Sequence, residues 1–145
     1  MNDVRVINEI VINRPPGVVF DYIADVANNP LWQRGMREAH FTSGPPLRVG
    51  STYAQVATFL GRRIESRFAI VEYEPGRLVK GSTTISPFPI TFTRIVEAEA
   101  AGARVIAIVE GRPDGVFALA SPIVRRMVTA SVARDYANLK RLLEG

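Results

Sequence analysis

After residue 110 the hydrophobic period switches from two to the helical value, and that switch constrains the architecture more than any other feature. From residue 37 to residue 110, apolar side chains recur mostly at every second position, as in strands with one buried face. After Gly111-Arg-Pro-Asp-Gly115 they recur every three to four positions, as far as Leu143. Consecutive strands followed by one long amphipathic helix bury the apolar face of a sheet against the apolar stripe of the helix. The fold class is therefore α+β.

The strands are expected around Ala39 and Phe41, then at residues 51–59, 62–73, 78–84, 90–98 and 104–110. Their connections are short. Leu60-Gly61 and Ala100-Ala101-Gly102 are tight, and Glu74-Pro75-Gly76-Arg77 suits a type II turn, with proline presetting one central residue and glycine accepting positive φ at the next. Short connections between successive strands predict an antiparallel meander. Ahead of the meander, Val4, Val6, Ile10 and Ile12 mark a strand that stops at Asn13-Arg14-Pro15-Pro16. Val18, Val19, Tyr22, Ile23 and Val26 then share one helical face, and after Asn28-Asn29-Pro30 a second short helix begins at Leu31-Trp32. In the long C-terminal helix, Phe117, Ala120, Val124, Met127, Val128, Ser131, Leu139 and Leu142 form the expected inner stripe. Pro122 is expected to kink that helix near its beginning.

The turns also predict registers. Leu60-Gly61 sets Tyr53 opposite Phe68 and Gln55 opposite Ser66, while Pro75-Gly76 sets Phe68 opposite Thr83 and Ile70 opposite Gly81. One sheet face then carries Tyr53, Gln55, Ala57, Ile64, Ser66, Phe68, Ile70, Val79, Gly81 and Thr83, while Arg63, Glu65, Arg67 and Glu72 meet water. Aromatic, small and polar groups on one inner face suit a ligand pocket, which is mostly apolar with a few orienting polar groups. A filled core with local hydrogen bonds is the alternative.

Composition narrows the function classes. At 145 residues, 47% hydrophobic and 22% charged, the chain has the size and balance of one globular domain. Without cysteine it has no disulfide, thiolate metal site or cysteine nucleophile, and a single histidine argues against a histidine metal triad. No run reaches the ~20 apolar residues of a membrane span, and the N-terminus lacks a signal peptide's apolar stretch. A cytoplasmic location is the expectation. The net charge is +4 and sixteen of the eighteen basic residues are arginine, but they are scattered and interleaved with glutamates. That pattern predicts a solvated basic surface, with no nucleic-acid partner and no stable membrane insertion. A surface acting on anionic lipid or nucleic acid is the third-ranked class. No phosphate-binding loop, dinucleotide fingerprint, HExxH or serine elbow occurs.

Three stretches carry a family resemblance: Ile12-Asn-Arg-Pro-Pro-Gly-Val-Val-Phe-Asp-Tyr-Ile-Ala-Asp25, Asn29-Pro-Leu-Trp32 with Val49-Gly50 later, and Asp135-Tyr-Ala-Asn-Leu-Lys-Arg-Leu-Leu143. Together they resemble the START-like, or SRPBCC, superfamily in its polyketide cyclase/dehydrase-like branch. The resemblance implies a helix-grip fold over residues 1–145 as one domain. In that fold a curved antiparallel sheet of about seven strands wraps a long C-terminal helix, with two short helices after the first strand. It implies a cavity that binds a lipid- or polyketide-like molecule, or an aromatase/cyclase or dehydrase using the same cavity. It implies no cofactor.

Candidate ligand-binding residues are Trp32, Tyr53, Gln55, Ser66, Phe68, Thr83, Phe92, Arg94, Phe117, Val124 and Met127. In the resembling family the tryptophan packs across one end of the sheet and can wall the cavity mouth. Arg94 shares a face with Ile90, Phe92 and Val96, so it is expected to point inward, where it could clamp a carboxylate, enolate or phosphate. Asp135 lies on the helix's apolar stripe, where an unpaired carboxylate is costly, so a structural Arg94–Asp135 bridge is expected. Arg94, Asp135 and Tyr53 are also the catalytic candidates if the protein is an enzyme. His40 reads as a surface or structural residue. Residues 117–122, flanked by Gly115 and Pro122, read as a lid. The long helix and an edge strand offer surfaces for a homodimer, though no feature demands one.

Overall fold

The computed structural model describes residues 4–59, 61–112 and 121–145. Phe117, residues 117–120 of the expected lid and the first turns of the predicted long helix fall outside these residues. The described elements run β1 (Val4–Ile12), α1 (Pro16–Ala24), a 3₁₀ turn (Val26–Asn28), α2 (Asn29–Trp32) and β2 (Met36–Phe41). They continue with β3 (Thr52–Phe59), β4 (Arg62–Glu74), β5 (Leu78–Ile85), β6 (Ile90–Glu99), β7 (Gly102–Gly111) and α3 (Ser121–Glu144). All seven strands form one antiparallel sheet in the order β1-β7-β6-β5-β4-β3-β2. Because β1 and β2 occupy opposite edges, the segment between them crosses the concave face, carrying α1 and α2 with it. The curled sheet and the long C-terminal helix make the helix-grip fold.

The predicted registers hold. Tyr53 faces Phe68 and Gln55 faces Ser66 across β3 and β4. Phe68 faces Thr83 and Ile70 faces Gly81 across β4 and β5. The second hairpin reaches its register by a different route from a two-residue turn. Glu74 pairs with Leu78, leaving Pro75, Gly76 and Arg77 in the loop, and an irregularity between Ile70 and Glu72 restores the offset. Gly76 has φ +80°, and Arg77 N–H donates to Glu74 O at 3.0 Å, as a type II turn requires. Along β4 burial alternates, with Ile64, Ser66, Phe68 and Ile70 inside and Arg63, Glu65 and Arg67 in water.

The α1 helix begins at Pro16, where a missing N–H costs nothing, and buries Val19, Phe20, Ile23 and Ala24. Each large apolar side chain buried this way contributes about 1.5–3 kcal/mol. The helix packs on β6 and β7. Pro122 falls in the first turn of α3 rather than kinking it, for the same reason that Pro16 is tolerated.

The inner face of α3 differs from the predicted stripe. The buried or half-buried apolar row runs through Val124, Val128, Val132, Tyr136, Leu139 and Leu143 with Asp135 beside it, and Ser131 is half-buried as expected, whereas Met127 and Leu142 are 41% and 45% exposed. The C-terminal half is tied to the end of β1. Arg14 Nη1 donates to Leu143 O at 2.7 Å, Lys140 Nζ to Val11 O at 2.6 Å, and Asn13 N–H to Glu144 Oε2 at 2.7 Å. Tyr136, Leu139 and Leu143 join the main core there, while Val124 belongs to a separate small cluster with Val4 and Val6. The C-terminal half of the helix thus packs into the main core, and Val124 near its start packs into the smaller cluster.

Candidate ligand-binding site

Two adjoining chambers lie between the inner sheet face and α3. The larger, about 170 Å³, is apolar, with Ala57, Ile64, Ile90, Val109, Val124 and Val128 among its walls. Gln55 and Ser66 supply its polar points, and Ser66 Oγ lies 3.2 Å from Ser86 Oγ. The smaller chamber, about 60 Å³, is bounded by Trp32, Gln33, Phe92, Arg94, Asp135 and Tyr136, and Val109 borders both. Phe92 stands near their junction because it covers Gly81, its partner across β5 and β6. A Cβ at Gly81 would collide with the Phe92 ring.

Strand alternation along β6 turns Arg94 inward, and it is only 8% exposed. Its guanidinium sits 5.2 Å from the Trp32 ring centroid and 4.8 Å from that of Phe92. Nε donates to Tyr136 Oη at 2.9 Å and Nη1 to Ile23 O at 3.1 Å. Trp32 meets Tyr136 edge-on with ring centroids 4.8 Å apart. Burial raises the pKa of Tyr136, against the pull of Arg94, so its phenol stays protonated.

The expected Arg94–Asp135 bridge does not form. Asp135 Oδ1 instead accepts Arg34 N–H at 3.2 Å and lies 3.7 Å from Arg134 Nη2. The chain leaving α2 presents a backbone donor to Asp135, and Tyr136 reaches Arg94 first. Burial raises the Asp135 pKa, opposed by the Arg34 hydrogen bond and by Arg134.

The remaining candidates separate by location. Trp32, Phe92 and Arg94 line the small chamber; Gln55, Ser66 and Val124 line the large one. Tyr53 and Phe68 stack in parallel at 4.9 Å within the main core and border neither chamber. Burial raises the Tyr53 pKa, so its phenol stays protonated. Thr83 is engaged in the β5–β6 connection, its Oγ1 accepting Ile90 N–H at 3.0 Å. Met127 points away from both chambers, since the i, i+4 row Val124, Val128, Val132 faces the sheet instead. His40 is exposed on β2. Gln33 and Tyr136 enter the site without having been singled out. Tyr136 was detectable from its four-residue spacing after Val132, while Gln33 carries no sequence signal.

Four of the outer arginines pair locally. Arg5 pairs with Glu110, Arg63 with Glu65, Arg77 with Glu74, and Arg104 with Glu9 and Glu99. Among the described residues no group of histidine and carboxylate side chains is placed to hold a metal ion, and no helix is long and apolar enough to cross a membrane.

A model of the family described as polyketide cyclase/dehydrase and lipid transport matches residues 3–144. The chain belongs to that family. Solved structures share this family member's fold at low sequence identity. CV1439 from Chromobacterium violaceum superposes with a TM-score of 0.72 at 18% identity, over 98% of this chain and 99% of that one. TTHA0849 from Thermus thermophilus gives 0.79 at 15% identity, over 96% and 94%. The Zhui aromatase/cyclase from Streptomyces sp. R1128 gives 0.72 at 12% identity, over 96% and 90%. No curated protein matches the sequence significantly.

Proposed function

We propose that this family member binds a hydrophobic or amphipathic small molecule, lipid- or polyketide-like, between the inner sheet face and α3. The observation that carries the reading is the 170 Å³ apolar chamber beside Val124 and Val128 of α3. Well-packed interiors leave few voids larger than a water molecule. A chamber walled by Ile64, Ile90, Val109, Val124 and Val128, with Gln55 and Ser66 as polar points, has the make-up of a ligand pocket. The local pairing of Arg5, Arg63, Arg77 and Arg104 supports a small-molecule role over a polyanion surface.

A second reading is a polyketide cyclase or dehydrase working in the same space. It is favoured by Arg94 and Asp135 bordering the adjoining chamber, a cation and an acid within reach of one bound molecule. Retained binding with lost turnover in Arg94→Met or Asp135→Asn would identify the enzyme. Native mass spectrometry of the purified protein, followed by denaturation, tests the first reading. A stoichiometric apolar adduct is expected. A bare chain that also shows no thermal shift with a panel of apolar compounds would refute it.

A further inference from the structure

Arg94 is a buried cation with no ion-pair partner among the described residues, although the buried Asp135 borders the same chamber. Among the described residues no carboxylate lies within 4 Å of its guanidinium, and both hydrogen-bond partners, Tyr136 Oη and Ile23 O, are uncharged. Buried charges are ordinarily paired, because an isolated one loses its hydration without compensation. In the same chamber, Trp32 Nε1 and Gln33 Nε2 are buried donors with no partner among the described residues. Trp32 itself is only 2% exposed. A buried cation on the wall of a 60 Å³ space, with the Trp32 and Gln33 side chains beside it, is a setting for a negatively charged oxygen group.

We propose that this small chamber is an anion subsite that takes the carboxylate of an amphiphile whose apolar body occupies the neighbouring chamber. The inference rests on the binding role proposed above and adds the head-group class and the orientation. The space is about twice the ~30 Å³ share of one water molecule, enough for a two-oxygen group. One guanidinium, rather than an arginine cluster, matches a single negative charge. Asp135 borders the chamber but engages Arg34 N–H and Arg134. Burial raises the Asp135 pKa, opposed by the Arg34 hydrogen bond and by Arg134. Val109, on the border of both chambers, marks where head and body would meet.

The test is calorimetric titration of the full chain with octanoate and with octanol, which share an apolar body and differ in the head. Octanoate is expected to bind at least about tenfold more tightly, a difference of ~1.4 kcal/mol. Arg94→Met should erase that preference, since a buried charge-assisted bond is lost. Gln33→Leu, at a half-buried position that holds no other side chain in place through a hydrogen bond, should weaken octanoate by about threefold or more and so keeps the test open if Arg94→Met fails to fold. Equal binding of the two probes by the wild type would overturn the subsite and leave the cavity reading standing. A preference for octanoate unchanged in both variants would overturn the assignment to these residues. Binding of neither probe would overturn both readings together.

Discussion

Tyr136→Phe isolates the bond that fixes Arg94. The substitution removes one oxygen and no carbon, so the edge contact with Trp32 and the packing in the main core persist. What is lost is the acceptor for Arg94 Nε, now 2.9 Å away. Hydrogen bonds to charged groups contribute about 1.5–3 kcal/mol, and a buried donor left unmatched costs most of that amount. The bond from Nη1 to Ile23 O remains, so the expected loss is about 2 kcal/mol rather than the collapse of the whole site. In a domain of this size that corresponds to roughly 4–8 °C in Tm. Urea denaturation should show a lower midpoint with an unchanged slope. The decisive comparison is the same change made in an Arg94→Met background. There the phenol has lost its charged donor, and the second substitution should cost less than about 0.5 kcal/mol, giving a coupling of more than ~1 kcal/mol. An equal cost in both backgrounds would refute the claim that Tyr136 acts through Arg94.

Three further outcomes follow from the geometry. Gly102→Ala should destabilise by about 3 kcal/mol or more, because Gly102 holds φ +135° and a Cβ there meets Ile12 O and sits 2.8 Å from Arg14 N, all backbone atoms; Gly44→Ala, where nothing lies within 4 Å, should be near neutral, and equal urea midpoints would refute this. Gly81→Ala should displace the Phe92 ring at the chamber junction, costing about 1–3 kcal/mol and lowering octanoate affinity; unchanged calorimetric affinity would argue that Phe92 does not shape the site. For Asp135 the raised folded pKa means that its contribution to stability is fully present below the ordinary carboxylate pKa and is lost as pH rises through the raised value. Asp135→Asn should therefore gain Tm relative to wild type at neutral pH and converge with it in acid, while a difference independent of pH would contradict the assignment.

The sheet was legible in the sequence wherever a turn dictated a register. Leu60-Gly61 gave the pairs Tyr53–Phe68 and Gln55–Ser66 directly, and alternation with Phe92 and Val96 turned Arg94 inward. The irregularity near Val71 was not legible, because it compensates a three-residue loop whose length depends on how the strands close. The face of α3 was only partly legible. Ala130, Ser131 and Ala133 break the apolar row in mid-helix, so a stripe through Met127 and Leu142 looked as continuous as the observed one through Val132 and Tyr136. The polar end of the site was harder still. Opposite charge suggested an Arg94–Asp135 pair, yet the Arg34 backbone N–H and the Tyr136 hydroxyl took those positions. Backbone donors leave no mark in a sequence.

The central claim is that the space between sheet and α3 is where a small molecule binds. The most direct measurement is methyl-resolved NMR of the full chain titrated with octanol. Saturable shifts are expected at Ile64, Ile90, Val109, Val124 and Val128, the methyl-bearing walls of the larger chamber. Shifts confined to exposed methyls such as Ile7, Val71 and Ile85, or no saturable shifts at all, would contradict it.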